Sequence, residues 1–125
     1  MVGSNDLEAS KRFYDAVFAA TGGSAGSIDS KGRVVYGKGG PRFMVTQPIN
    51  GEPACHANGG TIGFAFTSSA EVDAWHQAGL DAGGTSIENP PGIREVGARN
   101  LYLAYLRDPT GNKLCASALA DEPVT

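Results

Sequence analysis

The stretch over residues 100–116, NLYLAYLRDPTGNKLCA, constrains the fold more than any other part of the chain. Two alternating apolar runs flank Asp108-Pro109-Thr110-Gly111-Asn112. Pro109 presets φ for the first central position of a turn, and Gly111 supplies a positive φ. The segment therefore reads as a β-hairpin. Side chains alternate across a strand, so Lys113, Cys115 and Ser117 share one face and Leu114 and Ala116 the other. One face suits a core. The other carries a thiol and a hydroxyl, as the wall of a cavity does.

Upstream, residues 2–4 read as a short strand. Asn5 is the expected N-cap of a helix over residues 7–20, with Glu8 three positions on in capping-box spacing. Leu7, Phe13, Tyr14, Val17 and Phe18 gather on one face of that helix. Gly22-Gly23 ends it. Strands are expected at residues 24–28, 33–38 and 42–47, separated by Asp29-Ser30-Lys31-Gly32 and Gly39-Gly40-Pro41. In the last of them Phe43 and Val45 oppose Arg42, Met44 and Thr46. A loop follows, punctuated by Pro48, Gly51, Pro53 and Gly59-Gly60. The order then repeats. TIGFAF, residues 61–66, places Ile62, Phe64 and Phe66 on one face and the small Thr61, Gly63 and Ala65 on the other. Ser68 caps a second helix, with Glu71 in the capping-box position. Val72, Trp75, Gly79 and Ala82 mark its buried face, and Gly83-Gly84 ends it. A strand at 85–88 leads into a Pro90-Pro91-Gly92 loop that carries Arg94, Glu95 and Arg99. The hairpin comes next.

The chain thus reads strand, helix, strand, strand, strand, written twice. This predicts an α+β fold of paired βαβββ modules in a single domain over residues 1–125. Module one covers about residues 1–47, a loop about 48–59 and module two about 60–117, with a polar tail after 119. Each helix covers the apolar face of its sheet. Twist then curls the half-covered sheets into a cup-shaped mixed sheet with the helices outside. Met44, Thr61, Gly63, Leu103, Tyr105 and Cys115 line the expected cup, a fit place for a small organic molecule.

At 125 residues the chain is long enough for one real core. Its net charge of −3, with no basic stripe, argues against a nucleic-acid partner. No apolar run is long enough to span a membrane. The opening MVGSNDLEAS has neither the basic nor the apolar region of a secretory signal. Two cysteines make no disulfide framework, so a reduced cytoplasmic setting is expected.

Four segments in this order, SNDLEASKRFYDAVF, GGTIGFAF, VDAWHQAGLDAGG and LRDPTGNKL, resemble the vicinal oxygen chelate superfamily. That superfamily includes glyoxalase I, bleomycin-resistance proteins and extradiol dioxygenases. The resemblance covers nearly the whole chain. It implies paired modules, a cavity on the concave sheet faces and a homodimer. Catalytic members of the family hold a divalent metal with His, Glu or Gln side chains from the first and last strands of each module. Matched position by position, the first of these falls at or before Met1 and the second near Met44. The third falls on Thr61, where members often read GHI and this chain reads GTI. The fourth, a Glu in the family's DPDGxxIE pattern, falls on Cys115. Met, Thr and one thiol do not build a hard, carboxylate-rich site, so no metal and no other cofactor is expected.

Cys115 is the candidate for chemistry. It is either a cavity thiol acting as nucleophile or ligand contact, or a small buried hydrophobe in a strand. Cys55, His56, His76 and Cys115 match no compact zinc spacing. Tyr105 and Tyr36 offer a ring and a hydroxyl to a ligand, or simply pack. Arg94 either reaches over the cup to an anionic group or is a solvated loop residue. Gly37-Lys38-Gly39-Gly40 lacks phosphate-loop spacing and a following helix. The leading expectation is a protein that binds a small organic molecule in the cup without the family's metal. The rival is an enzyme: a glyoxalase-like lyase with an unrecognised metal site, or chemistry at Cys115.

Overall fold

The structure, a computed structural model, describes residues 1–37 and 40–120. The Lys38-Gly39 pair, which falls in an expected strand end and in the rejected phosphate loop, lies outside the described residues, as does the expected polar tail from 121 onward. The first half forms β1 (Val2–Gly3), α1 (Leu7–Ala19), β2 (Ser27–Ile28), β3 (Val34–Tyr36) and β4 (Phe43–Thr46). The second forms β5 (Ile62–Ala65), α2 (Ser69–Asp81), β6 (Thr85–Ser86), β7 (Gly92–Val96), β8 (Arg99–Arg107) and β9 (Lys113–Leu119). Two mixed sheets result, one ordered β1-β4-β3-β2 and the other β5-β9-β8-β6, with β7 also paired to β8. In each sheet the module's first strand runs parallel to its last. The fold is α+β, as the pattern predicts.

Two expectations need correction. The first helix is capped by Asp6, not Asn5: Asp6 Oδ1 accepts the Ala9 N–H at 3.0 Å. The Asn5 amide is committed elsewhere, since its Nδ2 donates to Ala54 O (3.0 Å) and its Oδ1 accepts from Ala54 N (2.7 Å). Asn5 thereby staples the long loop to the helix start. The second correction concerns residues 92–99. Arg94 and Glu95 belong to strand β7, and Arg99 opens β8. A two-residue turn at Gly97-Ala98, with Gly97 at φ +62°, joins them into a hairpin. The charged residues hide the strand pattern because β7 is an edge strand, where charge is tolerated and blunts further pairing.

α2 begins as expected. Ser68 Oγ accepts the Glu71 N–H at 3.2 Å, and the Glu71 carboxylate reaches back to the Thr67 N–H at 3.0 Å. The core joins the apolar stripes of both helices to the inner faces of both sheets. Phe13, Tyr14 and Val17 of α1, Val72 and Trp75 of α2, Val34, Val45, Leu106, Leu114 and Ala116 are all fully buried. Gly79 allows this packing. A Cβ there would lie 2.3 Å from Leu106 Cδ1 and 3.2 Å from atoms of Phe13 and Val17.

The Asp108 turn ties the two halves together. Asp108 Oδ1 accepts the N–H groups of Thr110, Gly111 and Asn112, each at 2.9 Å. Its Oδ2 accepts the Tyr14 hydroxyl at 2.6 Å and the Asn112 amide at 2.8 Å, and that amide also donates to Gly3 O at 3.0 Å. Burial, and then the Asp108 carboxylate, push the Tyr14 phenol far above its ordinary range. The phenol therefore stays protonated and keeps donating. The loop, α1 and β1 are held by one buried carboxylate with its partners in place.

Candidate functional site

The pairing of β5, β9 and β8 sets the site. Gly63 stands opposite Cys115, and Cys115 opposite Tyr105, so the three form one row across the sheet. The next row is Ala65, Ser117, Leu103 and Gly92. By strand alternation both rows lie on the face turned away from Leu106, Leu114 and Ala116. Gly63 is exposed, and a Cβ built on it would meet nothing within 4 Å. Cys115 and Tyr105 are half-buried, and Leu103 is buried at 7 % exposure. The sequence pattern thus places Gly63, Leu103, Tyr105 and Cys115 on one surface, and the structure brings them together.

Charges border this face. The Lys113 ammonium sits 5.0 Å from the centre of the Tyr105 ring and pairs with the Glu88 carboxylate. Glu88 reaches that position from a backbone at φ +58°, which L-residues seldom adopt. The sequence gives no sign of this pair, because the left-handed turn at Glu88 is invisible in residue pattern. Partial burial raises the Cys115 thiol above its ordinary value, and Glu88 adds to the rise, while Tyr105, Lys113 and Arg94 oppose it. The Tyr105 hydroxyl is raised chiefly by burial and by Cys115. Both groups are neutral at pH 7. A neutral thiol is a poor nucleophile, because the thiolate is the reactive form.

The other expected residues stand outside these two rows. Met44 belongs to the four-stranded sheet, where it pairs with Val35. Thr61 lines a separate cavity of about 190 Å³ with Met1, Cys55, His56 and Lys113. Arg94, on β7, clamps the preceding loop to the sheet. Its guanidinium donates to Gly92 O (2.9 Å), Leu103 O (3.4 Å), Asn89 O (2.9 Å) and Pro90 O (3.1 Å). Those bonds take four of its five N–H groups. His76 is buried on α2 with Nε2 3.0 Å from Ser86 Oγ, and burial lowers its pKa while Asp73 opposes. Tyr36 is buried and gives its hydroxyl to Asp15 at 2.8 Å. Sequence reasoning missed a groove of about 810 Å³ lined by Phe18, Val35, Arg42, Phe43, Ile62 and Phe64, among others. Its aromatic residues read equally well as core, which hid it.

The family's divalent metal needs side-chain donors that converge on one point. The residues at its expected positions are Met44, Thr61 and Cys115. Met44 lies on β4 of one sheet and Cys115 on β9 of the other, and Thr61 just precedes β5. Among the described residues no group of three or more His, Cys, Asp or Glu side chains is placed to hold a metal ion. The donor set does not fit the group.

The fold and the open, small-residue sheet face define a class: two βαβββ-type halves, each with a mixed sheet covered on one side by a helix. The family model described as Glyoxalase/Bleomycin resistance protein/Dioxygenase superfamily matches residues 1–116, and the chain belongs to that superfamily. A crystal structure of a glyoxalase/bleomycin resistance protein from Albidiferax ferrireducens T118 is similar with 51% identity and TM-score 0.90, over 94% of each chain. A glyoxalase/bleomycin resistance protein/dioxygenase family enzyme from Burkholderia phytofirmans PsJN shares the fold at 19% identity and TM-score 0.68, over 95% of this chain and 94% of that one. So does a glyoxalase-related enzyme from Fulvimarina pelagi, at 20% identity and TM-score 0.67, over 99% and 88%. No curated protein shows significant similarity to the chain.

Proposed function

We propose that this chain is a cytoplasmic, metal-independent member of the superfamily that binds a small organic molecule on the Gly63–Cys115–Tyr105 face. A second copy of the chain closes that face into a cup. The observation that carries the reading is the donor set: Met44, Thr61 and Cys115 stand where the family's ligands are expected, and no three metal-binding side chains converge among the described residues. The same face supports ligand contact. It offers small residues for access, Leu103 for apolar contact and the Tyr105 hydroxyl for orientation. The raised thiol supports Cys115 as a wall residue rather than a nucleophile.

Melting of purified protein with added nickel, zinc, manganese or ferrous iron tests the metal-free part, because a bound ion stabilises the folded state by mass action. No ion should raise the melting temperature, and elemental analysis should find no stoichiometric metal. A clear rise with one ion would return the protein to the lyase or dioxygenase reading. Sedimentation tests the closure: a dimer is expected, and a monomer at high concentration removes the second copy from the site.

A further inference from the structure

The groove missed by the sequence reading is lined by residues of a single chain. We propose that it binds an amphipathic anion, a planar apolar body bearing one carboxylate or sulfonate. This goes beyond the sheet-face reading, depends on neither a second copy nor the absence of metal, and meets that face only at Gly63.

Three observations carry it. The first is size and wall. About 810 Å³ falls within the range of about 300–1,000 Å³ of small-molecule sites. Four aromatic side chains line it: Phe18, Tyr36, Phe43 and Phe64. Their rings interlock, with centroids 5.6 Å apart for Phe18–Phe64, 5.5 Å for Phe43–Phe64 and 4.7 Å for Phe18–Tyr36. Such a wall favours a flat, unsaturated body through stacked and edge contacts. The second is that Tyr36 presents only its ring, since its hydroxyl is already given to Asp15. The third is charge. Among the described residues Arg42 is the one charged side chain in the lining, and no described Asp or Glu accompanies it. Arg33 is paired with Asp29, and Arg94 and Arg107 donate to backbone carbonyls. Arg42 is exposed and, like Arg12 and Arg99, has no side-chain hydrogen bond or ion pair among the described residues; its place in the groove lining sets it apart. An unspent guanidinium beside an aromatic groove selects an anion with an apolar body.

The test is a fluorescence titration with two dyes that share one body, anilinonaphthalene sulfonate and the neutral phenylnaphthylamine. The sulfonate dye should saturate at one per chain and bind about tenfold more tightly than the neutral one, as expected for one charge-assisted contact. Arg42→Gln should erase that preference and leave the neutral dye's affinity unchanged. Val35→Phe should weaken both dyes about tenfold or more by filling the groove. Ser27→Phe fills it from the neighbouring, exposed strand and serves if Val35→Phe fails to fold. Equal affinity for the two dyes, a preference that survives Arg42→Gln, or undiminished binding in a folded groove-filling variant would each overturn the proposal.

Discussion

The β8–β9 hairpin is one ribbon with two unlike faces. Toward α2, Ala104, Leu106, Leu114 and Ala116 have no exposed surface. On the other side Leu103 is nearly covered, but Leu101, Tyr105, Lys113, Cys115 and Ser117 remain partly open. The two sets alternate residue by residue, so backbone geometry and strand position are shared and only the surroundings differ. The comparison teaches where each constraint lies. The inner face is bound by volume, because α2 approaches closely through Gly79 and leaves no slack at Leu106. The outer face is bound by access: its residues are small where the surface is open and polar where charge gathers.

The contrast can be broken most sharply at Leu114. Leu114→Ala should destabilise the protein by about 2–5 kcal/mol, from lost transfer energy plus an unfilled cavity. Chemical denaturation measures it, and a cost under about 1 kcal/mol would mean that the inner face is not rigidly packed. Next in size is the tether that fixes the ribbon's turn. Tyr14→Phe keeps the ring and removes the hydroxyl that donates to Asp108. The expected loss is about 1.5–3 kcal/mol, the range for a hydrogen bond to a charged group. The Asn112 amide and three backbone N–H groups would still hold the carboxylate, so the fold should survive. A neutral outcome would show that the turn is held from within and owes nothing to α1.

These cases also show what was legible beforehand. The turn residues, strand parity and both helices follow from local chemistry, and local chemistry is written in neighbouring residues. Helical spacing places Phe13, Tyr14, Val17, Val72 and Trp75 in the core, and they are buried. The cap at Asp6 was missed because Asn5 spends its amide on Ala54, a partner far off in the chain. Strand β7 was missed because charges on an edge strand look like a loop. The site was legible in part. Strand parity puts Leu103 with Tyr105, and parity with family members turns Tyr105 toward the cup that Cys115 lines. No local rule could show Arg94 folding back on four carbonyls, or Glu88 meeting Lys113, since both depend on loop conformation. The aromatic groove was illegible for a different reason: a ring that walls a groove and a ring inside a core have the same residue type and the same spacing.

A smaller effect contrasts the buried His76 with the open face. Burial lowers its pKa from the ordinary 6.5, so the folded state binds its proton less readily than the unfolded state does. Its contribution to stability is complete above about pH 6.5 and declines as pH falls toward the folded pKa. His76→Gln, which retains a polar group near Ser86, should flatten the pH profile of melting over that window. An unchanged slope would assign the acid sensitivity to other groups.

The smallest effect is expected beside the largest, one residue along the same strand. Cys115→Ser changes a half-buried side chain on the outer face and should alter stability by about 0.5 kcal/mol or less, as surface substitutions do. The raised thiol adds a second expectation. In the parent protein, alkylation near neutral pH should modify the exposed Cys55 well before Cys115, and Cys115 should become reactive only as pH rises above the ordinary thiol range. Mass mapping after timed labelling reads both sites at once. Fast labelling of Cys115 at pH 7 would mean that a nearby cation holds it as thiolate, with Lys113 released from Glu88 as the first suspect. The outer face would then be equipped for nucleophilic chemistry rather than for binding alone, because the thiolate is the form that attacks. Slow labelling, together with a near-neutral Cys115→Ser, keeps the two faces distinct: one restrained by packing, the other left open for a ligand.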